Sequence, residues 1–165
     1  DWSEVGNKPG AQKGAGDSVP VIVLGWRDYF MGRLWLLLGR LTWGIARFES
    51  AASRRQGWAL PLISIGMAFA RREQYALALP AFRRAVEVDR PRIERNPILV
   101  RTMAKSFLHR AEQVEREGRD DVARGLVGEV LTLDLRRAPG TVRFELKRKH
   151  DVLRRGERGD VDSAA

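Results

Sequence analysis

The chain has 165 residues, 44% of them hydrophobic, and a formal net charge of +9. That length allows one domain with tails, not two large ones. With no cysteine there is no disulfide framework, thiolate metal site or thiol nucleophile; the two histidines, His109 and His150, stand far apart with no His-Glu-x-x-His spacing.

Residues 1–18 carry Gly6, Pro9, Gly10, Gly14 and Gly16 with Lys8 and Lys13 and almost nothing apolar, the composition of a flexible arm. The run KPGAQKGAGDS lacks the G-K-[ST] ending of a phosphate loop, and no strand precedes it.

From residue 19 the composition changes, and 19–55 is rich in tryptophan and arginine. A seven-residue theme recurs in Gly32-Arg33-Leu34, Gly39-Arg40-Leu41 and Ala46-Arg47-Phe48. On one continuous helix, positions seven apart drift by only about 20°, so Arg33, Arg40 and Arg47 form a narrow basic stripe. Leu34, Leu37, Leu38, Leu41, Ile45 and Phe48 make a broad apolar side, and all five tryptophans precede residue 60. This is the pattern of a helix lying at a membrane interface. Its expected contacts are Trp26, Arg33, Trp35, Leu37, Leu38, Arg40, Leu41, Trp43 and Arg47. Two other readings stay open. One is a true span, in which the arginines must snorkel or pair. The other is a helix packed on the following domain or on a partner subunit. For a span, Arg47, Arg54 and Arg55 after it slightly favour the following domain on the cytoplasmic side of a bacterial or organellar inner membrane.

Residues 62–91 set small and large residues in a fixed order: Leu62, Ile65, Gly66 and Phe69, then Ala78, Phe82 and Ala85, with Pro91 behind them. Gly66 and Ala78 let two helices approach closely, while Phe69, Tyr75 and Phe82 fill the remaining gaps. A generic amphipathic αα-hairpin satisfies this pattern. In its spacing it also resembles a tetratricopeptide repeat, W-x-x-L-G-x-x-Y, then A-x-x-x-F, then a closing proline, with Leu62 in the tryptophan position and Pro91 one residue late. Pro80, inside the second helix, removes one hydrogen bond and predicts a kink there.

A weaker copy follows, 45 residues on. Ala111 and Val114 repeat Gly66 and Phe69, Gly118-Arg119-Asp120 marks a turn, and Ala123, Val127 and Val130 repeat Ala78, Phe82 and Ala85. The excess over the family's 34-residue period predicts a first helix about three turns longer, over 97–117, entered at Asn96-Pro97. Glu112/Arg116, Glu115/Arg119 and Asp120/Arg124 are i,i+4 pairs of a solvated face. After Ala138-Pro139-Gly140, Thr141 predicts an N-cap and 142–155 a closing helix with Val142, Leu146 and Leu153 inward; the alternation Val142, Phe144, Leu146 also admits a short strand. Residues 157–165 read as a frayed tail.

The expected fold is all-α: a flexible arm (1–18), the front helix region (19–55), a short stack of repeat-like hairpins (56–138), a capping helix (139–156) and the tail. The family resemblance implies partner contacts on the inner side of the first helices, at Ile63, Met67, Ala70 and Arg71 and at Lys105, Leu108, Glu112 and Arg116. An apolar helix or extended peptide suits that surface; alternatively Ile63 and Met67 simply touch the front helix. With no catalytic constellation, metal cluster or phosphate loop, neither enzymatic activity nor a cofactor is expected. The expected function is a protein–protein scaffold, an accessory or assembly subunit of a larger complex, with an anionic membrane surface and other subunits as partners. Nucleic acid is the rival partner, favoured by the charge and by Arg136-Arg137 and Lys147-Arg148-Lys149. The interleaving of acids with these bases, and the lack of any nucleic-acid motif, weigh against it.

Overall fold

A computed structural model describes residues 19–162, and their side chains to residue 154 except at 137. The arm expected at 1–18 and the last three residues of the tail lie outside the described residues. Among those described the chain is all-helical: α1 (Val19–Leu37), α2 (Leu41–Arg54), α3 (Ala59–Ala70), α4 (Tyr75–Glu94), α5 (Pro97–Arg116), α6 (Asp120–Leu131) and α7 (Gly140–Asp162), with one 3₁₀ turn at Leu135–Arg137. Consecutive helices pack as hairpins α1/α2, α3/α4 and α5/α6, each laid on the last and closed by α7, an arrangement compatible with a helical repeat.

The front region is not one helix. Gly39, at φ 74°, ends α1, and Arg40 opens α2, so the predicted stripe Arg33–Arg40–Arg47 is broken between two antiparallel helices. The sequence carries the reason. Gly32, Gly44, Phe48 and Ala51 each stand 34 residues before Gly66, Ala78, Phe82 and Ala85. A Cβ added at Gly32 would lie 2.8 Å from the Phe48 ring, and one at Gly66 would lie 2.6 Å from the Phe82 ring. In both hairpins a phenylalanine ring therefore packs directly against the glycine backbone, which sets the helix spacing. In the third hairpin Ala111 and Val127, also 16 residues apart, are both buried. A methyl and a smaller side chain there share the space that hydrogen and a ring share in the others.

The buried core falls into two clusters, and half-buried Phe69 packs against both. In one, Tyr29, Phe48 and Ala51 of the first hairpin join Ile65 and Ala81 of the second. Leu62, Phe82, Met103, Phe107, Val127 and Leu146 belong to the other, which reaches α7. Polar latches tie the outer edges. Arg83 of α4 bonds both carboxylate oxygens of Glu129 in α6, with Nε–Oε1 at 2.8 Å and Nη2–Oε2 at 2.9 Å. Lys149 of α7 pairs with Glu115 of α5. Glu115 thus bonds across the stack rather than along its own helix to Arg119, which pairs with Glu117.

Several local expectations resolve differently. Helix α4 keeps its course through Pro80 and departs from helical geometry only at Asp89 (φ −151°, ψ 70°), where the Asp89 carboxylate accepts from Arg92 N at 3.1 Å and caps one last turn containing Pro91. Asn96 caps α5 as predicted, accepting from Ile98 and Leu99 N at 3.1 Å. Helix α7 starts at Gly140 on the Pro139 carbonyl rather than on Thr141, leaves no strand at 142–146, and continues through 157–162, where a frayed tail was expected.

The three hairpin turns place Gly39, Glu73 and Gly118 in the left-handed region, at φ 74°, 59° and 74°. Only Glu73 has a Cβ to clash there. Glu73→Gly is expected to raise stability by about 0.5–1 kcal/mol, read as a higher urea midpoint at unchanged slope. Gly66→Ala is expected to cost about 1–3 kcal/mol by forcing the Phe82 ring off the helix. In a Phe82→Val background that cost should fall by at least half, and a double-mutant cycle measures the coupling.

Candidate functional site

The first hairpin is held by a polar contact where the other hairpins use apolar ones. Asp28 in α1 is fully buried, and its equivalents 34 and 79 residues on, Leu62 and Phe107, belong to the core. Ser50 Oγ and Arg54 Nε donate to Asp28 Oδ2, each at 2.8 Å; Arg47 Nη1 reaches Oδ1 at 3.3 Å and Arg27 Nη2 at 3.5 Å. Arg47, Ser50 and Arg54 are spaced i, i+3, i+7, so one face of α2 presents all three to α1. Burial by itself raises the Asp28 pKa. The hydrogen bonds from Ser50 and Arg54 and the charges of Arg54 and Arg27 outweigh it and hold the carboxyl below its ordinary 3.8.

Helix α1 is apolar on nearly every side but covered on one. Gly25, Asp28, Tyr29 and Gly32 face the fold. Val19, Val23, Trp26, Phe30, Leu34 and Leu37 follow each other at steps of three or four and form an exposed stripe, Phe30 at 62% and Leu37 at 82%. Beyond the stripe, the turn exposes Leu38 and Trp43; Trp43 lies 5.9 Å from Trp35, over which Arg40 sits at 5.6 Å. Of the expected membrane contacts, Trp26, Arg33, Leu37, Leu38, Arg40, Trp43 and Arg47 are exposed in this hairpin, Arg47 with one terminal nitrogen on Asp28, while Trp35 and Leu41 are half-buried. Val19, Val23, Phe30 and Leu34 complete the stripe. Their three-and-four spacing is the sequence signal for them, masked because a seven-residue arginine theme overlies it.

Trp58 locks the hairpin to α3. Its ring lies 4.8 Å from Trp26 and 5.3 Å from Tyr29, with Arg55 stacked over it at 4.7 Å.

Six of the eight expected partner-binding residues line two separate grooves. The first, about 320 Å³, runs between α1 and α3 and is lined by Leu36, Leu37, Ile63, Met67, Arg33 and Arg71 among others. Ile63 and Met67 line this groove, and Arg33, Leu36 and Leu37 of α1 form its other wall. Ala70 is instead buried in the core, and cannot contact a partner from there. The second groove, about 580 Å³, lies between α5 and α7 and takes Lys105, Leu108 and Glu112 with Glu145, Arg148 and Lys149. Arg116 lines neither of these two grooves. Helices α3 and α5 touch directly between them, so the inner surface is divided in two. Among the described residues no helix is long and apolar enough to cross a membrane, which removes the spanning reading of 19–48. Among the same residues no cluster of His, Cys, Asp or Glu could hold a metal ion.

The folded pKa of Asp28 lies below the unfolded value. Its contribution to stability is therefore complete above that value and is lost as pH falls through the folded one. Asp28→Asn is expected to cost about 1.5–3 kcal/mol at pH 7. The variant should also lose less stability than the parent below pH 4, measured by urea unfolding across that range.

No protein-family model matches the chain, and no curated protein does.

Proposed function

We propose that this chain is a non-catalytic scaffold of the tetratricopeptide kind, an accessory or assembly subunit whose first hairpin rests on an anionic membrane surface while its inner grooves take other protein subunits. The observation that carries this reading is the uncovered apolar stripe of α1. Among the described residues Val19, Val23, Trp26, Phe30, Leu34 and Leu37 of α1 lie open. Contiguous apolar surface of this kind marks an interaction site.

Charge selects the kind of surface. Residues 19–55 contain six arginines against two acids, and one of those acids, Asp28, is buried. A second copy of the same hairpin would bring like charges together, whereas an anionic lipid surface complements them. Tryptophans beside the stripe fit the headgroup level of a bilayer. The helix then lies in the interface plane, its apolar side in the acyl boundary. The tetratricopeptide assignment rests on the 34-residue interval that links the first two hairpins and on the Gly–Phe contact that both contain.

The parent chain is expected to float with vesicles of phosphatidylcholine mixed with phosphatidylglycerol and to keep most of that binding through a high-salt wash. Phe30→Asp with Leu37→Asp replaces two exposed side chains, so the thermal midpoint should hold while vesicle affinity drops by roughly tenfold or more. Undiminished flotation of that double variant would sink the membrane reading. Retention of the chain by a co-purifying protein in mild detergent, with no vesicle binding, would move the stripe to a protein partner.

A further inference from the structure

We propose that Arg27, Arg47 and Arg54 form a phosphate-binding fork beside the α1 stripe, taking the headgroup phosphate of an anionic phospholipid. The proposal rests on the membrane-surface reading above and adds a defined site to it.

Three guanidinium groups converge on one carboxylate. Arg27 and Arg47 each use one terminal nitrogen on Asp28 Oδ1, and Arg54 uses Nε on Oδ2. Each guanidinium keeps further N–H donors, and the side chains remain 57%, 44% and 42% exposed. One buried negative charge against three positive ones leaves a surplus of two. A lone carboxylate salt bridge needs one arginine; two more, held by the same buried acid, make a positive surface whose donors are already ordered. Ordered guanidinium forks match phosphate oxygens in planar, paired hydrogen bonds, and little side-chain entropy remains to be lost when the anion arrives.

The position of the fork decides which phosphate. Arg27 is flanked in the chain by Trp26 and lies one turn from Phe30, both on the exposed stripe. A phosphate bonded to Arg27 therefore sits beside a row of aliphatic and aromatic side chains that can take acyl chains. The stripe, mostly Val, Leu and Phe, offers one hydrogen-bond donor, the Trp26 indole N–H, so a polynucleotide would leave most of it exposed to water.

The test compares two charge-matched variants of the full chain on vesicles of phosphatidylcholine with and without phosphatidylglycerol. Arg27→Gln/Arg47→Gln removes two members of the fork. Arg33→Gln/Arg40→Gln removes two arginines of the same hairpin that do not bond Asp28. Diffuse attraction treats the pairs alike, whereas the fork makes the first pair lose at least tenfold more affinity for the anionic vesicles than the second. Both should bind pure phosphatidylcholine as the parent does. Equal losses in the two variants, or none in the first, overturn the fork while leaving the membrane reading standing. If the parent binds neither kind of vesicle, the membrane reading itself fails and takes the fork with it. Inorganic phosphate that competes fully with the vesicles, or an RNA oligonucleotide bound in an Arg27- and Arg47-dependent way, overturns the lipid assignment. Should the glutamine pair lower the thermal midpoint, Arg27→Lys/Arg47→Lys, which keeps charge and loses the planar fork, is measured instead. It is expected to lose about fivefold, and parent-like binding overturns the proposal.

Discussion

The stack depends on one repeated contact, a phenyl ring laid against a residue that has no side chain. Gly32 beneath Phe48 and Gly66 beneath Phe82 fix the distance between the two helices of each hairpin, because neither backbone can move closer or farther without losing that fit. The neighbouring small residues follow from it. Ala51, Ala78 and Ala85 are buried where a second helix comes near, and larger side chains would push the helices apart. Once hairpins share a spacing they can stack, and stacking is what buries Leu62 and, further along, Phe107. The third hairpin reaches the same end with Ala111 and Val127, which shows that the constraint is on the summed volume and not on the glycine as such.

How legible this was in the sequence varied with how many signals pointed the same way. In the second hairpin, small and large residues and their spacing agreed, with Pro91 one residue late, and the all-helical class followed. The longer α5 with its Asn96 cap was equally legible, since an N-cap followed by proline is a local signal that needs no tertiary context. The first hairpin carried the same glycine and phenylalanine 34 residues earlier, but two other patterns lay over them. A seven-residue arginine theme imitated a single continuous helix, and Gly39 read as one member of that theme instead of as a turn. What decides between the two is a backbone angle, φ 74° at Gly39, and no periodicity reports that. The division of the inner surface into two grooves was not legible at all. It depends on α3 touching α5 while α1 stands away from α3, which is a matter of packing angles and not of residue order.

The break in α4 illustrates a related limit. Proline is the usual mark of a kink, and Pro80 is the more central of the two in that helix. It lies just past the first turn, where Ala78 N already bonds the Gln74 carbonyl, so it forfeits one internal hydrogen bond, yet the backbone there stays helical. Asp89 is different because its carboxylate offers the Arg92 amide an alternative partner, so the chain can leave helical geometry and restart. A kink needs a replacement for the bonds it breaks, and only the second site supplies one.

Helix α1 combines two surfaces of opposite kind, and they are physically linked. At the position equivalent to Asp28, the second hairpin has Leu62, buried in a cluster against which Ala52 of α2, in the hairpin before it, packs. No described helix covers Asp28 in that way, so the arginines that satisfy it can keep their outer ends in water, and a buried acid becomes tolerable. The same geometry makes this side a poor seat for another apolar hairpin, which would have to desolvate three guanidinium groups. The exposed stripe lies beside this side and offers the reverse chemistry, aliphatic and aromatic and without acids. A partner that meets both must be apolar in one layer and negatively charged in the next. On the proposed reading that partner is a lipid surface, in which acyl chains lie beneath phosphates, and the stripe and the arginines of the hairpin stand side by side.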